Sequence, residues 1–117
     1  MSFQAQGLLC QYLSEDMSGI DLGSLDLPQI EKDLVKIKIS HASLNFPDWL
    51  MSQGKYQRKP ELPFFLGMEG SGIIESVGPD AKELQIGDEV MFGGWGHGAM
   101  ANYCLLYTSD AADDKQC

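Results

Sequence analysis

Nine glycines fall between Gly67 and Gly98, interleaved with short apolar runs: Ile73-Ile74, Val77 and Val90-Met91-Phe92. A helix tolerates such glycine density poorly, whereas short strands use glycine at bends where backbones approach closely. Short strands at this spacing, with Ala101 to Leu106 following, predict a small barrel or twisted antiparallel sheet. Upstream, Leu34 to Ser40 carries the clearest strand signal. Val35, Ile37 and Ile39 share one face and Lys36 and Lys38 the other, so one face is expected buried and one wet. Gln4 to Leu13 reads as an edge strand, and Ser14 to Gly23 as an acidic loop. From Asn45 to Met51 the period changes; Pro47 suits the first turn of a helix and Gly54 its end, giving one or two turns. Tyr56 to Leu66, with Pro60 and Pro63, reads as an extended loop packed by Phe64 and Phe65.

The chain of 117 residues is long enough for one domain and short for two. Seventeen acidic residues against eight basic ones give a net charge of −9, which disfavours nucleic acid and anionic membrane surfaces as partners. Cys10, Cys104 and Cys117 match neither a disulfide framework nor a C-x-x-C metal clip, so free thiols in a reducing compartment are expected. No basic leader, signal-length apolar run or bilayer-spanning stretch occurs, which points to a cytoplasmic protein without a membrane span.

Single residues do not reach a function. Gly67-Met68-Glu69-Gly70-Ser71-Gly72 invites a phosphate-cradling reading. Taking Gly70 and Gly72 as the first pair, however, puts Glu75 where a dinucleotide fingerprint needs its third glycine, and the residues that follow read as strand. A bent strand is the better account. His41 and His97 stand 56 positions apart, each more simply a solvated or backbone-bonded ring than a ligand. Asp48 and Glu69 have the chemistry of an acid–base pair, but their spacing does not bring them together; a cap and a turn anchor are simpler roles. Asp88, in Gly87-Asp88-Glu89-Val90, reads as a turn residue bonding backbone amides.

The order of these elements is more informative. Val35-Lys36-Ile37-Lys38-Ile39, Ser43-Leu44-Asn45-Phe46-Pro47-Asp48, Gly54-Lys55-Tyr56, Leu66-Gly67-Met68-Glu69-Gly70-Ser71-Gly72, Val77-Gly78 and Gly87-Asp88-Glu89-Val90-Met91 together resemble the N-terminal domain of the medium-chain dehydrogenases/reductases, over about Phe3 to Tyr103. The N-F-x-D, G-x-Y and G-M-E-G-S-G segments look like the quinone oxidoreductase branch, which includes zeta-crystallin-like and vesicle-amine-transport-like proteins. The resemblance implies a mainly β, GroES-like, partly open barrel with one or two short helices, set against a separate Rossmann domain that is absent from this chain.

In zinc-using members of that family a cysteine and a histidine ligate the metal where this chain has Asn45 and Met68. An amide and a thioether are unusual zinc ligands, and the four-cysteine structural lobe is missing, so the resemblance implies a zinc-free reductase. Such an enzyme polarises the substrate carbonyl by hydrogen bonds while NADPH delivers hydride from nicotinamide C4. By resemblance, Asn45 lies near nicotinamide and substrate, Tyr56 lines the cleft as a hydrogen-bond donor, and Asp48 orients neighbouring backbone. Asn45 and Tyr56 are the catalytic candidates; Asn45, Asp48 and Met68 are the cofactor-side candidates. Glu69 is expected to hold the glycine turn. Leu50 replaces a common aromatic residue, so the resemblance supplies no stacking residue there.

Residues 1–104 are therefore expected to form the GroES-like domain. Residues 105–117, which lack the expected continuation, read as an unstructured tail of sequencing or translation origin, a genuine short polar tail being the alternative. The function implied is that of an N-terminal catalytic-domain fragment of an NADPH-dependent, zinc-independent oxidoreductase acting on a quinone or α,β-unsaturated carbonyl. The fragment alone is expected to be inactive, and the full-length form to be a homodimer. Trp49, Met68 and Phe92 are the expected apolar patch left by the missing domain. The rival reading is a stand-alone barrel serving as a non-catalytic binding module.

Overall fold

A computed structural model describes residues 3–57, 59–93 and 98–107. In chain order the elements are β1 (Phe3–Cys10), β2 (Ile20–Leu27), β3 (Leu34–Ser43), α1 (Phe46–Ser52), β4 (Phe64–Phe65), β5 (Glu69–Val77), β6 (Glu89–Phe92) and β7 (Tyr103–Tyr107). They form a three-stranded sheet ordered β2-β1-β4 and a four-stranded sheet ordered β6-β5-β3-β7. Every strand pairing is antiparallel.

The segment from Gly98 to Asn102 joins the two sheets. The Leu8 N–H donates to Met100 O at 2.7 Å, and the Met100 N–H donates to Leu66 O at 2.8 Å. Asn102 donates its N–H to Gln6 O and accepts the Gln6 N–H on its side-chain oxygen, both at 2.9 Å. The result is the expected mainly β, partly open barrel, with α1 the one helix among the described residues.

The alternation of β3 has the expected effect on its apolar side. Val35 and Ile37 are buried with Ile74, Val90, Phe92, Cys104 and Leu106 in the larger core. Its polar side is only partly wet. Lys36 Nζ lies 4.0 Å from the Phe3 ring centre and 4.2 Å from that of Tyr103, and 3.1 Å from Glu75 Oε1, so two rings and a carboxylate hold its ammonium while Lys38 stays exposed. Gly72 marks a close crossing between β3 and β5, since a Cβ there would stand 2.2 Å from Lys38 O. The Gly87 turn into β6 is as expected: Gly87 has φ +96°, and the Gln85 N–H donates to Asp88 Oδ2 at 2.9 Å.

Several expectations need correction. β1 is the middle strand of its sheet, paired along its full length with β2 and through Leu9 and Cys10 with β4. Ile20 to Gly23 belong to β2, because pairing with β1 outweighs their acidic, loop-like composition. Phe64 and Phe65 pack as expected but form β4. The strand at the C-terminal side runs past Cys104: Leu105 to Tyr107 continue β7 against Leu34 to Lys36, and Leu106 is buried. Met68 and Phe92 are core residues instead of patch residues, because each lies on the inner side of its local backbone. Trp49 is exposed, together with Leu44 and Phe46. Among the described residues Cys10 and Cys104 are buried thiols in no disulfide, and burial pushes the Cys104 thiol up to about 12. His97 and Cys117 lie outside the described residues.

Candidate active site at the head of α1

The local sequence fixes α1 at its N-terminus. Asn45 has extended φ and ψ as N-cap, and Pro47 occupies the first turn, where a missing N–H costs nothing. Asp48 then reaches back: its Oδ2 accepts the Asn45 N–H at 2.9 Å. Its Oδ1 accepts the Gly67 N–H, also at 2.9 Å. Asp48 is 2% exposed, so one buried carboxylate ties the helix to the turn entering β5. Gly67 permits this with φ +103°; a Cβ on it would meet Met100 N at 2.7 Å.

Above that joint lies an exposed polar triad. Ser43 and Glu69 are register partners across β3 and β5. Ser43 Oγ donates to Glu69 Oε1 at 2.6 Å, and Asn45 Nδ2 donates to the same oxygen at 3.1 Å and to Ser43 Oγ at 3.2 Å. The Ser43 hydroxyl, and secondarily the Asn45 amide, hold the Glu69 carboxyl below its usual range by stabilising its charged form. Ser43 and Glu69 line a cleft of about 250 Å³ together with His41, Ala42, Gly70, Ser71, Met91 and Phe92.

The predicted residues thus separate into layers. Asn45 and Glu69 meet directly, with Asp48 beneath them. Met68 and the half-buried Tyr56 belong to the apolar cluster of Cys10, Met51, Phe64 and Leu66. Asp48 and Glu69 do not share a hydrogen, so they are no acid–base pair: one accepts from backbone, the other from side chains. Ser43 was missed. Its signal was the strand pairing that sets it opposite Glu69, which no local pattern contains. On the outer side of α1, the Phe46 and Trp49 rings lie 5.6 Å apart beside Asn45. Among the described residues no three His, Cys, Asp or Glu side chains converge as a metal site.

This barrel, with its capped helix docked on a glycine turn, defines a class. Residues 31–113 match the alcohol dehydrogenase GroES-like domain, and the chain belongs to that family. Among curated relatives it is 42% identical, over 72 residues, to a quinone oxidoreductase-like protein 2 homolog of Nematostella vectensis; the match takes in 62% of this chain and 20% of that protein. The chain therefore spans about a fifth of that relative's length. Among solved structures, the human synaptic vesicle membrane protein VAT-1 homolog-like protein superposes with a TM-score of 0.79 at 26% identity, over 92% of this chain and 34% of that one. A mycobacterial protein complexed with NADPH superposes with a TM-score of 0.71 at 28% identity, over 91% of this chain and 31% of that one. Among the described residues no helix is long and apolar enough to cross a membrane.

Proposed function

We propose that this chain is the barrel part of a cytoplasmic, NADPH-dependent, zinc-independent oxidoreductase that reduces a quinone or an α,β-unsaturated carbonyl compound. The observation that carries the reading is the fixed amide of Asn45, held by Ser43 and Glu69 at the position the resemblance gives to a zinc-binding cysteine. Support also comes from the relatives named as quinone oxidoreductase-like and from the NADPH complex of a similar structure.

Nicotinamide, when bound, supplies the hydride. The residues of this chain fit the rim of such a cofactor. Asn45 orients the ligand, Asp48 keeps α1 in place, Met68 fills the wall beneath, and Tyr56 is the candidate hydrogen-bond donor to the substrate carbonyl. The pyrophosphate is left to another domain, since the turn at Gly67 leads into the strand β5 and not into a helix.

Fusing this barrel to the cofactor domain of a quinone oxidoreductase-like relative tests the proposal. NADPH oxidation with 1,4-benzoquinone or a simple enone, insensitive to chelators, is expected of the fusion and not of the chain alone. Tight NADPH binding without reduction of either compound overturns the reading in favour of a binding module. A requirement for added zinc overturns the zinc-free mechanism.

A further inference from the structure

β2 is bonded along one side only. All eight of its residues pair with β1, and among the described residues its other edge pairs with no strand. Which groups face that open edge follows from β1. Leu8 directs its N–H to Met100 O and receives the Leu66 N–H on its C=O, and Gln6 commits both backbone groups to Asn102. Leu8 and Gln6 stand opposite Leu22 and Ser24, so these are non-hydrogen-bonded pairs of the antiparallel ladder. Leu22 and Ser24 therefore point their own N–H and C=O groups outward, and by the same alternation so do Ile20 and Asp26. Local bonds occupy two of these N–H groups: Ile20 donates to Met17 O at 3.1 Å and Leu22 to Asp21 Oδ1 at 2.8 Å. The Ser24 and Asp26 N–H groups and the outward carbonyls are left at the spacing a further strand requires.

Charge and shape select what fits that edge. Residues 15–33 carry six acidic side chains against the single basic Lys32, more than half of the net charge of −9. On the strand itself the charges are Asp21 and Asp26, both exposed and, five positions apart, on opposite faces. Between them Leu22 is 78% exposed, and with Leu8, Ile39 and Met100 it lines an apolar groove of about 400 Å³ between the two sheets. A second copy of this chain is a poor occupant. Pairing β2 with β2 gathers both aspartates twice on one short ladder, and like charges across a ladder destabilise it. Residues 108–117, with three aspartates and one lysine, are mismatched for the same reason. A basic strand turns that repulsion into attraction.

We propose that the open edge of β2 is a docking site for a basic, extended segment of a partner protein, which adds as a further strand and sets lysine or arginine side chains against Asp21 and Asp26. As the segment docks, one of its carbonyls takes the Leu22 N–H, and the Asp21 carboxylate released from that N–H turns to the incoming cation. An apolar side chain of the segment lies beside Leu22 and extends the wall of the groove. The same two aspartates thus keep copies of the chain apart and admit a strand of opposite charge. None of this draws on Asn45, Tyr56 or a cofactor, so the docking site stands apart from the oxidoreductase reading.

The test titrates the whole 117-residue chain with the peptide acetyl-KVKVTKVK-amide, whose lysines change face midway as the aspartates of β2 do. Binding should slow hydrogen exchange at the Ser24 and Asp26 amides by roughly tenfold or more, while Gly23 and Leu25, whose N–H groups already face β1, change little. Asp21→Asn combined with Asp26→Asn should raise the dissociation constant roughly tenfold, the size of two exposed ion pairs. Ser24→Pro removes an outward N–H, a change that an edge strand accepts, so the unfolding midpoint should hold while peptide binding is lost.

A control peptide asks the same question without altering the protein. Acetyl-KVKPPKVK-amide keeps every charge but lacks two ladder donors, and it should bind roughly tenfold more weakly or worse. Equal binding of the two peptides reduces the site to non-specific charge attraction and overturns the proposal. So does equal binding of acetyl-EVEVTEVE-amide, or no binding of the basic peptide at all. Protection of Ser24 and Asp26 that rises with protein concentration in the absence of peptide makes a second copy the occupant, and overturns it as well.

Discussion

Two carboxylates a short way apart in the fold are used in opposite ways. Among the described residues Asp48, a buried residue of α1, accepts only backbone N–H groups, from Asn45 and Gly67. Glu69, exposed on the rim, accepts among the described residues only side-chain donors, from Ser43 and Asn45. The buried group joins two stretches of chain and is coupled to folding. The exposed group orients one side chain and is coupled to solvent, and hence to pH. Asn45 takes part in both: its backbone belongs to the joint and its amide to the rim.

Substitutions should separate these roles. Asp48→Ala removes the cap and leaves the Gly67 N–H buried without its partner. Urea unfolding should show a loss of about 3 kcal/mol, and an unchanged midpoint would remove the joint from the comparison. Gly67→Ala forces a Cβ into Met100 and a side chain into positive φ, with a loss of about 2 kcal/mol by the same measurement. Phe46→Ser with Trp49→Ser should alter stability by less than about 1 kcal/mol, since both rings are exposed, while reducing self-association in light scattering and binding of an apolar dye. Glu69→Gln should leave the unfolding midpoint where it is at pH 7. A large shift there would make Glu69 a second structural joint and end the contrast.

The same division marks what the sequence made legible. Glycine bends, the alternation of Val35, Ile37 and Ile39, and the Asn45-x-x-Asp48 cap are local signals, and each specifies its own element. Neighbours across a sheet are not local. Nothing in Gln4 to Leu13 says that β1 is flanked on both sides, because that depends on Phe64 and Phe65 arriving from more than fifty residues away. For the same reason Ser43 was invisible as a partner of Glu69. Met68 and Phe92 were expected on the surface because the apolar pattern identified them as packed against something, without saying against what. They pack inside this barrel.

The exchange between Gln6 and Asn102 bears on how the protein is made. Those residues stand 96 positions apart, yet each bonds the other where the two sheets meet. A ribosome must deliver Asn102 before β1 can take its final place, so β1 waits for the segment that leads into β7. Closing so long a loop is entropically costly and slow. Until then β1, whose Leu9 and Cys10 enter different apolar clusters, has β2 and β4 beside it but lacks the Gly98–Asn102 segment that ties it to the other sheet, and unfinished packing of this kind leaves apolar surface exposed.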